Sequence, residues 1–284
     1  MIIFKRPADL HNFLEENRSG QNKIGFAPTM GALHAGHLSL VTEAKKQNDL
    51  VVCSIFINPT QFNDPEDFKK YPVTIEKDIL LYEASGCDVV FIPLMADIYP
   101  AGTNELKHYD LGFLDTVLEG KFRPGHFQGV CQVMHRLLEI VLPDNLYLGQ
   151  KDYQQCMVIK RLIELIGLEN RIKVNICPTL REKDGLAMSS RNARLLPEER
   201  KKAATIFTSL RYIKENLKPG NTKKIKGEAM EMLSQNGFRT DYIDLADANT
   251  LELVDDWDGK QKIVALAAAF INNVRLIDNM GINT

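Results

Sequence analysis

The chain has 284 residues, and its 35 basic and 37 acidic side chains give a formal net charge of −2 at pH 7. A composition of 44% hydrophobic and 25% charged residues is typical of a globular protein and excludes disordered, collagen-like and disulfide-scaffold chains. The near-neutral balance, without a basic stripe, argues against a nucleic-acid partner, whose phosphate backbone requires a cationic surface.

The first half of the chain alternates short apolar runs with longer helical patterns, which is typical of a parallel β-sheet covered by helices. The predicted strands lie at residues 23–27, 50–57, 88–92, 145–148 and 171–177. Helices are predicted after Gly36, over 127–142 and from Asp152 onward. We therefore predict an α/β fold with helices on both faces of the sheet.

After Pro178 the pattern changes to a polar loop, two charged helical segments and further strand-like runs. The helical segments lie at 197–216 and 222–236, and the runs at 242–245, 263–269 and 274–277. The change predicts a smaller second domain of helices and strands. We place the boundary near residue 177, which gives domains at 1–177 and 178–284.

The five cysteines are odd in number and include no Cys-x-x-Cys pair, which argues against a disulfide framework and a thiolate zinc site. The longest apolar run, 263–271, is too short to span a membrane, and the N-terminal residues lack the pattern of a signal peptide. We therefore expect a cytoplasmic location and no membrane partner.

Residues 28–37 read Pro-Thr-Met-Gly-Ala-Leu-His-Ala-Gly-His and lie where a predicted strand ends and a helix begins. A helix N-terminus presents unpaired N–H groups and a positive dipole end, which favour phosphate. Gly31 and Gly36 allow close backbone approach, and His34 and His37 share one face of the first turn. The segment predicts a triphosphate site. A helix-capping turn is the alternative, and two imidazoles alone make an incomplete zinc site.

A second polar segment, residues 181–192, reads Arg-Glu-Lys-Asp-Gly-Leu-Ala-Met-Ser-Ser-Arg-Asn. Two hydroxyls and an arginine in sequence are suited to bind the outer phosphates of a nucleotide. They can also stabilise the charge that builds on pyrophosphate as it leaves. Taken alone, the segment is more typical of a solvated interdomain linker.

Together, His-Ala-Gly-His at 34–37 and Met-Ser-Ser-Arg at 188–191 resemble the HIGH and KMSKS motifs of the nucleotidyltransferase superfamily, which includes class I aminoacyl-tRNA synthetases. Five ordered blocks are similar, more specifically, to the pantothenate synthetase family. They lie at residues 28–40, 54–62, 120–127, 149–155 and 181–192. The resemblance is strong up to about residue 192 and continues through the small C-terminal domain.

The resemblance implies a Rossmann-like N-terminal domain with a smaller α+β lid domain. It implies ATP-dependent ligation of pantoate to β-alanine through a bound pantoyl adenylate, in a Mg²⁺-requiring homodimer. The alternatives are an adenylyltransferase of the superfamily that transfers AMP to a cofactor precursor, a fragment of an aminoacyl-tRNA synthetase, and a nucleotide-binding regulatory module without turnover.

Carried over by position, the family's ATP site falls on the first loop, on the turn after the strand at 145–148, and on the second polar segment. These residues are Met30, Gly31, Ala32, Leu33, His34, Ala35, Gly36, His37, Gly149, Gln150, Lys151, Asp152, Leu180, Met188, Ser189, Ser190 and Arg191. His37 and His34 are the implied catalytic donors to phosphate, and Lys151 neutralises phosphate charge. At Leu180 the family usually has a different small aliphatic residue, so only a backbone contact with adenine is expected there.

For pantoate the resemblance points to Gln61 and Gln155, and β-alanine is expected to reuse the Gln61 side of the pocket. An amide has donors and an acceptor, which suits a ligand with two hydroxyls and a carboxylate. The alternatives are a simple turn at 58–61 and a helix-capping box at 152–155.

Three further features are also candidates, and each has a structural alternative. Arg123 and His126 either line the phosphate region or cap the following helix. Asp78 is either a water-mediated Mg²⁺ ligand or an ordinary surface acid. The segment at 63–77 is either a mobile flap over the site or an exposed loop.

Overall fold

The structure is a computed structural model that describes residues 1–63, 65–103 and 106–283. Residue contacts divide the chain into two compact units, Met1–Gly149 with Val158–Cys177 and Gln150–Met157 with Pro178–Thr284. The predicted division at residue 177 differs from these units in the placement of Gln150–Met157. The difference has a physical cause, because the backbone at the start of this segment is hydrogen-bonded to Asn279 in the second unit.

The first unit contains a six-stranded parallel sheet, which confirms the predicted α/β class. Its strands are β1 (Ile2–Phe4), β2 (Ile24–Thr29), β3 (Leu50–Ile55), β4 (Val89–Phe91), β5 (Asn145–Gly149) and β6 (Lys173–Cys177). Their spatial order is β1-β4-β3-β2-β5-β6. Strand β1 was not predicted, because three residues are too few to show a periodic pattern.

Helices connect these strands. They are α1 (Pro7–Ser19), α2 (Ala35–Lys45), α3 (Pro65–Lys69), α4 (Ile75–Ala84), α5 (Met95–Ile98), α6 (Leu118–Phe122), α7 (His126–Val141) and α8 (Tyr153–Leu165). Short 3₁₀ turns lie at Pro59–Gln61, Gly112–Asp115 and Gln150–Asp152. The segment predicted as a flap or exposed loop, 63–77, contains α3 and the start of α4, and its residue 64 lies outside the described residues.

Both faces of the sheet are buried. Cys53 and Ile55 of β3 pack with Val41 of α2 in one apolar cluster. Val52, which precedes Cys53 and points to the opposite face, is buried as well. Each fully buried aliphatic side chain stabilises the fold by roughly 1.5–3 kcal/mol. A strand buried on both faces needs helices on both, as predicted for this sheet.

The order of the strands predicts a binding position at the carboxyl ends of β2 and β5. The chain passes from β2 to β3 on one side, whereas β5 pairs with β2 on its other side. Ligands of parallel α/β sheets bind outside the carboxyl ends of the strands at such a switch point. Strand β2 leads into the loop at 30–34, and β5 ends at Gly149.

The second unit is α+β, as the resemblance implied. Its helices are α9 (Pro197–Ala203), α10 (Thr205–Asn216) and α11 (Lys223–Gln235), and Ser190–Arg194 forms a 3₁₀ turn. Its strands are β7 (Gly220–Asn221), β8 (Phe238–Asp247), β9 (Asp256–Trp257), β10 (Ile263–Ile271) and β11 (Val274–Ile282). Strands β11, β10 and β8 form an antiparallel sheet, on which α10 and α11 pack.

Strands β8 and β11 are longer than predicted. The apolar run at 242–245 is only the centre of β8, whose pairing with β10 continues to Phe238↔Ile271 and Asp247↔Ile263. The extension includes polar residues such as Arg239 and Asp241. Backbone hydrogen bonds to β10 hold these residues in the strand, and an apolar pattern does not report such bonds.

Candidate nucleotide and pantoate site

The loop after β2 has a backbone shape that requires glycine at one position. Gly31 has φ +78° and Ala32 has φ +50°, both in the left-handed region. A Cβ on residue 31 would meet Asp78 Oδ2 at 2.9 Å and Ile55 Cγ2 at 3.1 Å. Glycine is therefore needed at position 31 for conformation and for space.

Asp78 of α4 holds this loop in place. Its Oδ2 accepts the N–H of Ala32 at 2.9 Å, and its Oδ1 accepts the N–H of Leu33 at 2.8 Å. Thr74 Oγ1 adds a third hydrogen bond to Oδ2 at 3.1 Å. Asp78 is only 1% exposed, so the expected alternative of an ordinary surface acid is wrong. The carboxylate instead fixes two consecutive peptide groups of the loop.

The start of the loop is held by the hydroxyl of Thr29. Thr29 Oγ1 donates to the carbonyl of Ser54 at 2.7 Å and accepts the N–H of Gly31 at 3.2 Å. The Tyr82 hydroxyl lies 3.0 Å from the same oxygen. Because the single proton of the Thr29 hydroxyl goes to Ser54, the Tyr82 hydroxyl is the donor of this pair, and burial raises the pKa of Tyr82 well above its usual range. All hydrogen-bonding capacity of the Thr29 hydroxyl is therefore used.

His34 and His37 are brought together at the N-terminus of α2. Their ring centroids are 4.0 Å apart, and the rings are tilted by 31°. His34 caps the helix, because its Nδ1 accepts the N–H of Gly36 at 3.1 Å. The Nδ1 of His37 accepts the N–H of His34 at 3.4 Å. Since both Nδ1 atoms accept, these hydrogen bonds assign the proton of each neutral ring to Nε2, where it is a donor.

Gln61 ends the 3₁₀ turn at Pro59–Gln61 and lies beside the first loop. Its Nε2 contacts Met30 Sδ at 2.9 Å, and its Oε1 accepts from Asn58 Nδ2 at 3.2 Å. Asn58 is buried, also donates to the carbonyl of Gly129 at 3.0 Å, and accepts from the Tyr99 hydroxyl at 2.7 Å. The sequence pattern at 58–61 predicts only a turn for Asn58, because its partners Gly129 and Tyr99 are distant in the chain.

Arg123 and His126 act on this turn. His126 is buried, and its Nδ1 donates to the Gln61 carbonyl at 2.7 Å. Its Nε2 lies 3.0 Å from Arg123 Nη1, which is the donor of that pair. Arg123 and His126 therefore form a chain of hydrogen bonds that ends on the backbone of Gln61.

In the second unit, the turn Gln150–Asp152 carries Lys151 and leads directly into α8. The Lys151 ammonium is 3.7 Å from Asp152 Oδ1, and its side chain is largely buried. Gln155 lies in the first turn of α8 and is half-buried. These residues belong to the same compact unit as Ser189–Arg191.

The second polar segment forms a tight hairpin followed by a capped turn. The hairpin is closed by hydrogen bonds from the N–H of Glu182 to the Leu186 carbonyl and from the N–H of Met188 to the Leu180 carbonyl. Ser189 Oγ then caps the 3₁₀ turn that contains Ser190 by accepting the N–H of Arg191 at 3.2 Å. The segment is therefore ordered by its own hydrogen bonds and is not a simple linker.

Three residues that contact the hairpin and the turn at Gln150–Asp152 were not predicted from the sequence. Arg181, Asp278 and Asn279 form a hydrogen-bonded group that joins β11 to the hairpin and to the turn at Gln150–Asp152. Arg181 lies in one of the five similar blocks, but the resemblance assigned it no role. No local pattern marks the other two, because their partners lie about a hundred or more positions away in the chain.

The described residues give no group of three or more His, Cys, Asp or Glu side chains suited to a metal. Both oxygens of Asp78 are engaged by backbone N–H groups. Within the described residues, the site therefore offers no magnesium cage made by protein ligands alone, and Mg²⁺ takes most of its ligands from water and nucleotide phosphate.

Comparison with known proteins gives full-length matches. The sequence model of the pantoate–β-alanine ligase family matches residues 2–281. A pantothenate synthetase from Phocaeicola vulgatus is 43% identical over 284 residues, and one from Cytophaga hutchinsonii is 41% identical over 283 residues. Each match covers 99% of both chains.

Solved structures give the same result. Pantothenate synthetase from Thermus thermophilus matches with a TM-score of 0.89 and 38% identity, over 99% of both chains. Pantoate–β-alanine ligase from Francisella tularensis, complexed with beta-gamma ATP and β-alanine, matches with a TM-score of 0.83 and 38% identity, over 100% of this chain and 98% of that one. This chain therefore belongs to the pantoate–β-alanine ligase family.

Proposed function

We propose that this chain condenses pantoate with β-alanine at the expense of ATP, forming pantothenate, AMP and pyrophosphate. The observation that carries the proposal is the full-length family match, in a chain whose two histidines meet at the N-terminus of α2. The ligase from Francisella tularensis, which was solved with beta-gamma ATP and β-alanine, supports the choice of substrates.

The reaction proceeds in two steps. A pantoate carboxylate oxygen attacks the α-phosphorus of ATP, and the bond from that phosphorus to the bridging oxygen breaks to release pyrophosphate. The β-alanine amine then attacks the acyl carbon of the pantoyl adenylate, the acyl–oxygen bond to AMP breaks, and the amine loses a proton. The protein's task is to align two anions and to stabilise charge on phosphate oxygens.

The loop at 30–37 is proposed to bind the triphosphate. In both His34 and His37 the Nε2–H group is the donor suited to a phosphate oxygen, because Nδ1 of each ring accepts a backbone N–H. His37 is the proposed principal donor during adenylation, with His34 beside it. Preorganised donors at a helix N-terminus stabilise charge as it develops.

The second unit is proposed to supply Lys151 and the residues Met188–Arg191 to the same ATP molecule. Lys151 neutralises phosphate charge, while Ser189, Ser190 and Arg191 stabilise the charge on pyrophosphate as it leaves. The turns that carry them are hydrogen-bonded to their own unit, which supports preformed positions. Gly149–Asp152 and the Leu180 backbone are proposed to complete the nucleotide site.

Pantoate is proposed to bind Gln61 and Gln155, with β-alanine later using the Gln61 side. The amide of Gln61 is oriented by Asn58 and Met30, and its backbone by His126. An amide held in one orientation distinguishes a hydroxyl from a carboxylate oxygen, which supports a role in substrate selection.

Mg²⁺ is proposed to arrive with the phosphates of ATP, where it would neutralise their charge. Both oxygens of the buried Asp78 carboxylate already accept backbone N–H groups of the loop. We therefore propose that Asp78 acts on the loop at 31–33 and not on the metal.

A cytoplasmic location and a homodimer complete the proposal. All five cysteines are free and buried, which supports a reducing compartment. In the part of the chain that the structure describes, no helix has the length and apolar character of a membrane span. The homodimer rests on the family resemblance, and sedimentation equilibrium of the purified chain tests it.

One assay tests the function. The purified chain is mixed with ATP, Mg²⁺, pantoate and β-alanine, and AMP and pantothenate are measured together. We expect equal amounts of both products. Without β-alanine we expect pyrophosphate and a bound adenylate. Accumulation of a free nucleotidyl product would indicate an adenylyltransferase, and ATP binding without pyrophosphate release would indicate a regulatory module.

A further inference from the structure

Asn279 of β11 holds the turn that carries Lys151. The Asn279 side chain is buried, and its Nδ2 donates to the carbonyl of Gln150 at 2.8 Å and to the carbonyl of Lys151 at 2.9 Å. Its Oδ1 lies 3.3 Å from Gln150 Nε2, which donates to it. These three hydrogen bonds of the amide side chain go to two consecutive residues. The peptide groups on both sides of the Lys151 Cα are therefore tied to the strand.

The neighbouring residue, Asp278, holds the hairpin that precedes Met188. Arg181 Nη1 donates to Asp278 Oδ2 at 2.6 Å, and Arg181 Nη2 donates to Asp278 Oδ1 at 3.0 Å. The same guanidinium donates to the Gly185 carbonyl at 3.0 Å and lies 4.6 Å from the centre of the Phe207 ring. A planar fork that pairs with both carboxylate oxygens fixes direction as well as distance.

The two anchors are joined to each other. The N–H of Asn279 donates to Asp278 Oδ1 at 2.8 Å, and Arg181 Nη2 donates to the Asn279 carbonyl at 3.2 Å. Burial raises the pKa of Asp278, while Arg181 and the nearby Lys151 charge act in the opposite direction. Arg181, Asp278 and Asn279 all lie within the second unit. The adjacent residues Asp278 and Asn279 of β11 therefore hold both the turn at Gln150–Asp152 and the hairpin that precedes Met188.

We propose that Asn279 is a positioning residue that acts through Lys151, with the Asp278–Arg181 pair aligning the segment at 188–191 from the same strand. The inference rests on the proposed role of Lys151 in adenylation. Asn279 contacts backbone carbonyls and not substrate, so its removal lets the ammonium of Lys151 move away from the phosphates. Asparagine is specifically suited here, because an aspartate would present oxygens to two carbonyls that require donors.

A double-mutant cycle tests the inference. Asn279→Ala, Lys151→Ala and the combined variant are compared with the unaltered chain by pantoate-dependent ATP–pyrophosphate exchange. We expect Asn279→Ala to lower kcat by about 10- to 100-fold, since misplacement of a catalytic group by about 1 Å has effects of this size. We expect the combined variant to be no slower than Lys151→Ala alone. Losses that multiply would overturn the inference.

Two further variants complete the design. Asn216→Ala removes an exposed asparagine of the same unit whose Nδ2 bonds the Tyr212 carbonyl, and it should leave exchange unchanged. Asn279→Ser keeps one donor and should give a smaller loss of exchange activity than Asn279→Ala. The serine variant also tests the inference if the alanine variant does not fold. If both single variants, Asn279→Ser and Asn279→Ala, are folded and fully active, the inference is overturned.

The unaltered chain separates this inference from the proposed function. If it forms no pantothenate and shows no exchange, the proposed function fails. If it is active and the Asn279 and Lys151 effects multiply, only the inference fails.

Discussion

Gly31 and Asp78 approach each other so closely that a Cβ on residue 31 would lie 2.9 Å from Asp78 Oδ2. That oxygen also accepts the N–H of Ala32. The loop conformation therefore depends both on glycine at position 31 and on the carboxylate of Asp78. Substitutions in this loop and in its neighbours should change substrate binding in distinct ways, and each has a control within the chain.

Gly31→Ala should raise the KM for ATP by at least about 10-fold and lower the free energy of unfolding. A non-glycine residue in the left-handed region costs about 1–3 kcal/mol, and the clash with Asp78 adds to this. Gly86→Ala is the control, because Gly86 also has φ +78° but a Cβ there meets nothing within 4 Å. Urea unfolding and ATP kinetics are the measurements. Equal effects of the two substitutions on ATP kinetics would contradict the proposed contact.

Asp78→Asn should raise the KM for ATP by about 10-fold at saturating Mg²⁺. One amide nitrogen would replace an oxygen that accepts a loop N–H, and a buried N–H left without a partner costs about 1–3 kcal/mol. The Mg²⁺ concentration for half-maximal rate should not change. Glu76→Gln, at an exposed position of the same helix, should have no effect. A higher Mg²⁺ requirement with an unchanged KM for ATP would instead make Asp78 a metal ligand.

Gly129→Ala should raise the KM for pantoate by about 10-fold or more. A Cβ on this residue of α7 would lie 2.2 Å from the Thr60 carbonyl oxygen, so the turn that carries Gln61 must move. Such overpacking costs about 1–3 kcal/mol of stability. Gly227→Ala is the matched control in α11, where a Cβ meets nothing, and it should stabilise the chain by up to about 1 kcal/mol. An unchanged KM for pantoate in a folded Gly129→Ala variant would refute the role of this contact.

His34→Asn should separate helix capping from catalysis. An asparagine amide can replace Nδ1 as the acceptor at the N-cap, so thermal stability should stay close to that of the unaltered chain. It removes the distal Nε2–H, so ATP–pyrophosphate exchange should fall by about 100-fold. His34→Ala should lose the same activity and, in addition, about 1 kcal/mol of stability. Exchange at the normal rate in His34→Asn would remove this ring from the reaction.

The sequence was sufficient for the parts of the site that lie in contiguous segments. The histidines at 34 and 37 are three positions apart, so the helix repeat alone predicted that they would share one face of the first turn, and the structure places their rings 4.0 Å apart. The α/β class followed in the same way from alternating apolar runs, and the structure confirms it.

Contacts between distant segments could not be predicted. Glu76 and Asp78 both lie in the first turn of α4, and only packing against the loop after β2 decides that Asp78 is buried and Glu76 is not. Asn279 lies in a strand whose sequence pattern gives no sign of a bond to residue 150. Local periodicity reports which face of an element is buried, and it carries no information about which partner covers that face.

The loop at 30–37 and the segment at 188–191 are proposed to act on one ATP molecule, and the whole reaction depends on this. A crystal structure with pantoate and a non-hydrolysable ATP analogue tests it most directly. We predict that Nε2 of His34 and His37, together with Ser189–Arg191, lie within about 3.2 Å of phosphate oxygens of the same nucleotide. Imidazole rings turned away from the phosphates, or a segment at 188–191 bound elsewhere on the surface, would contradict the proposed reaction.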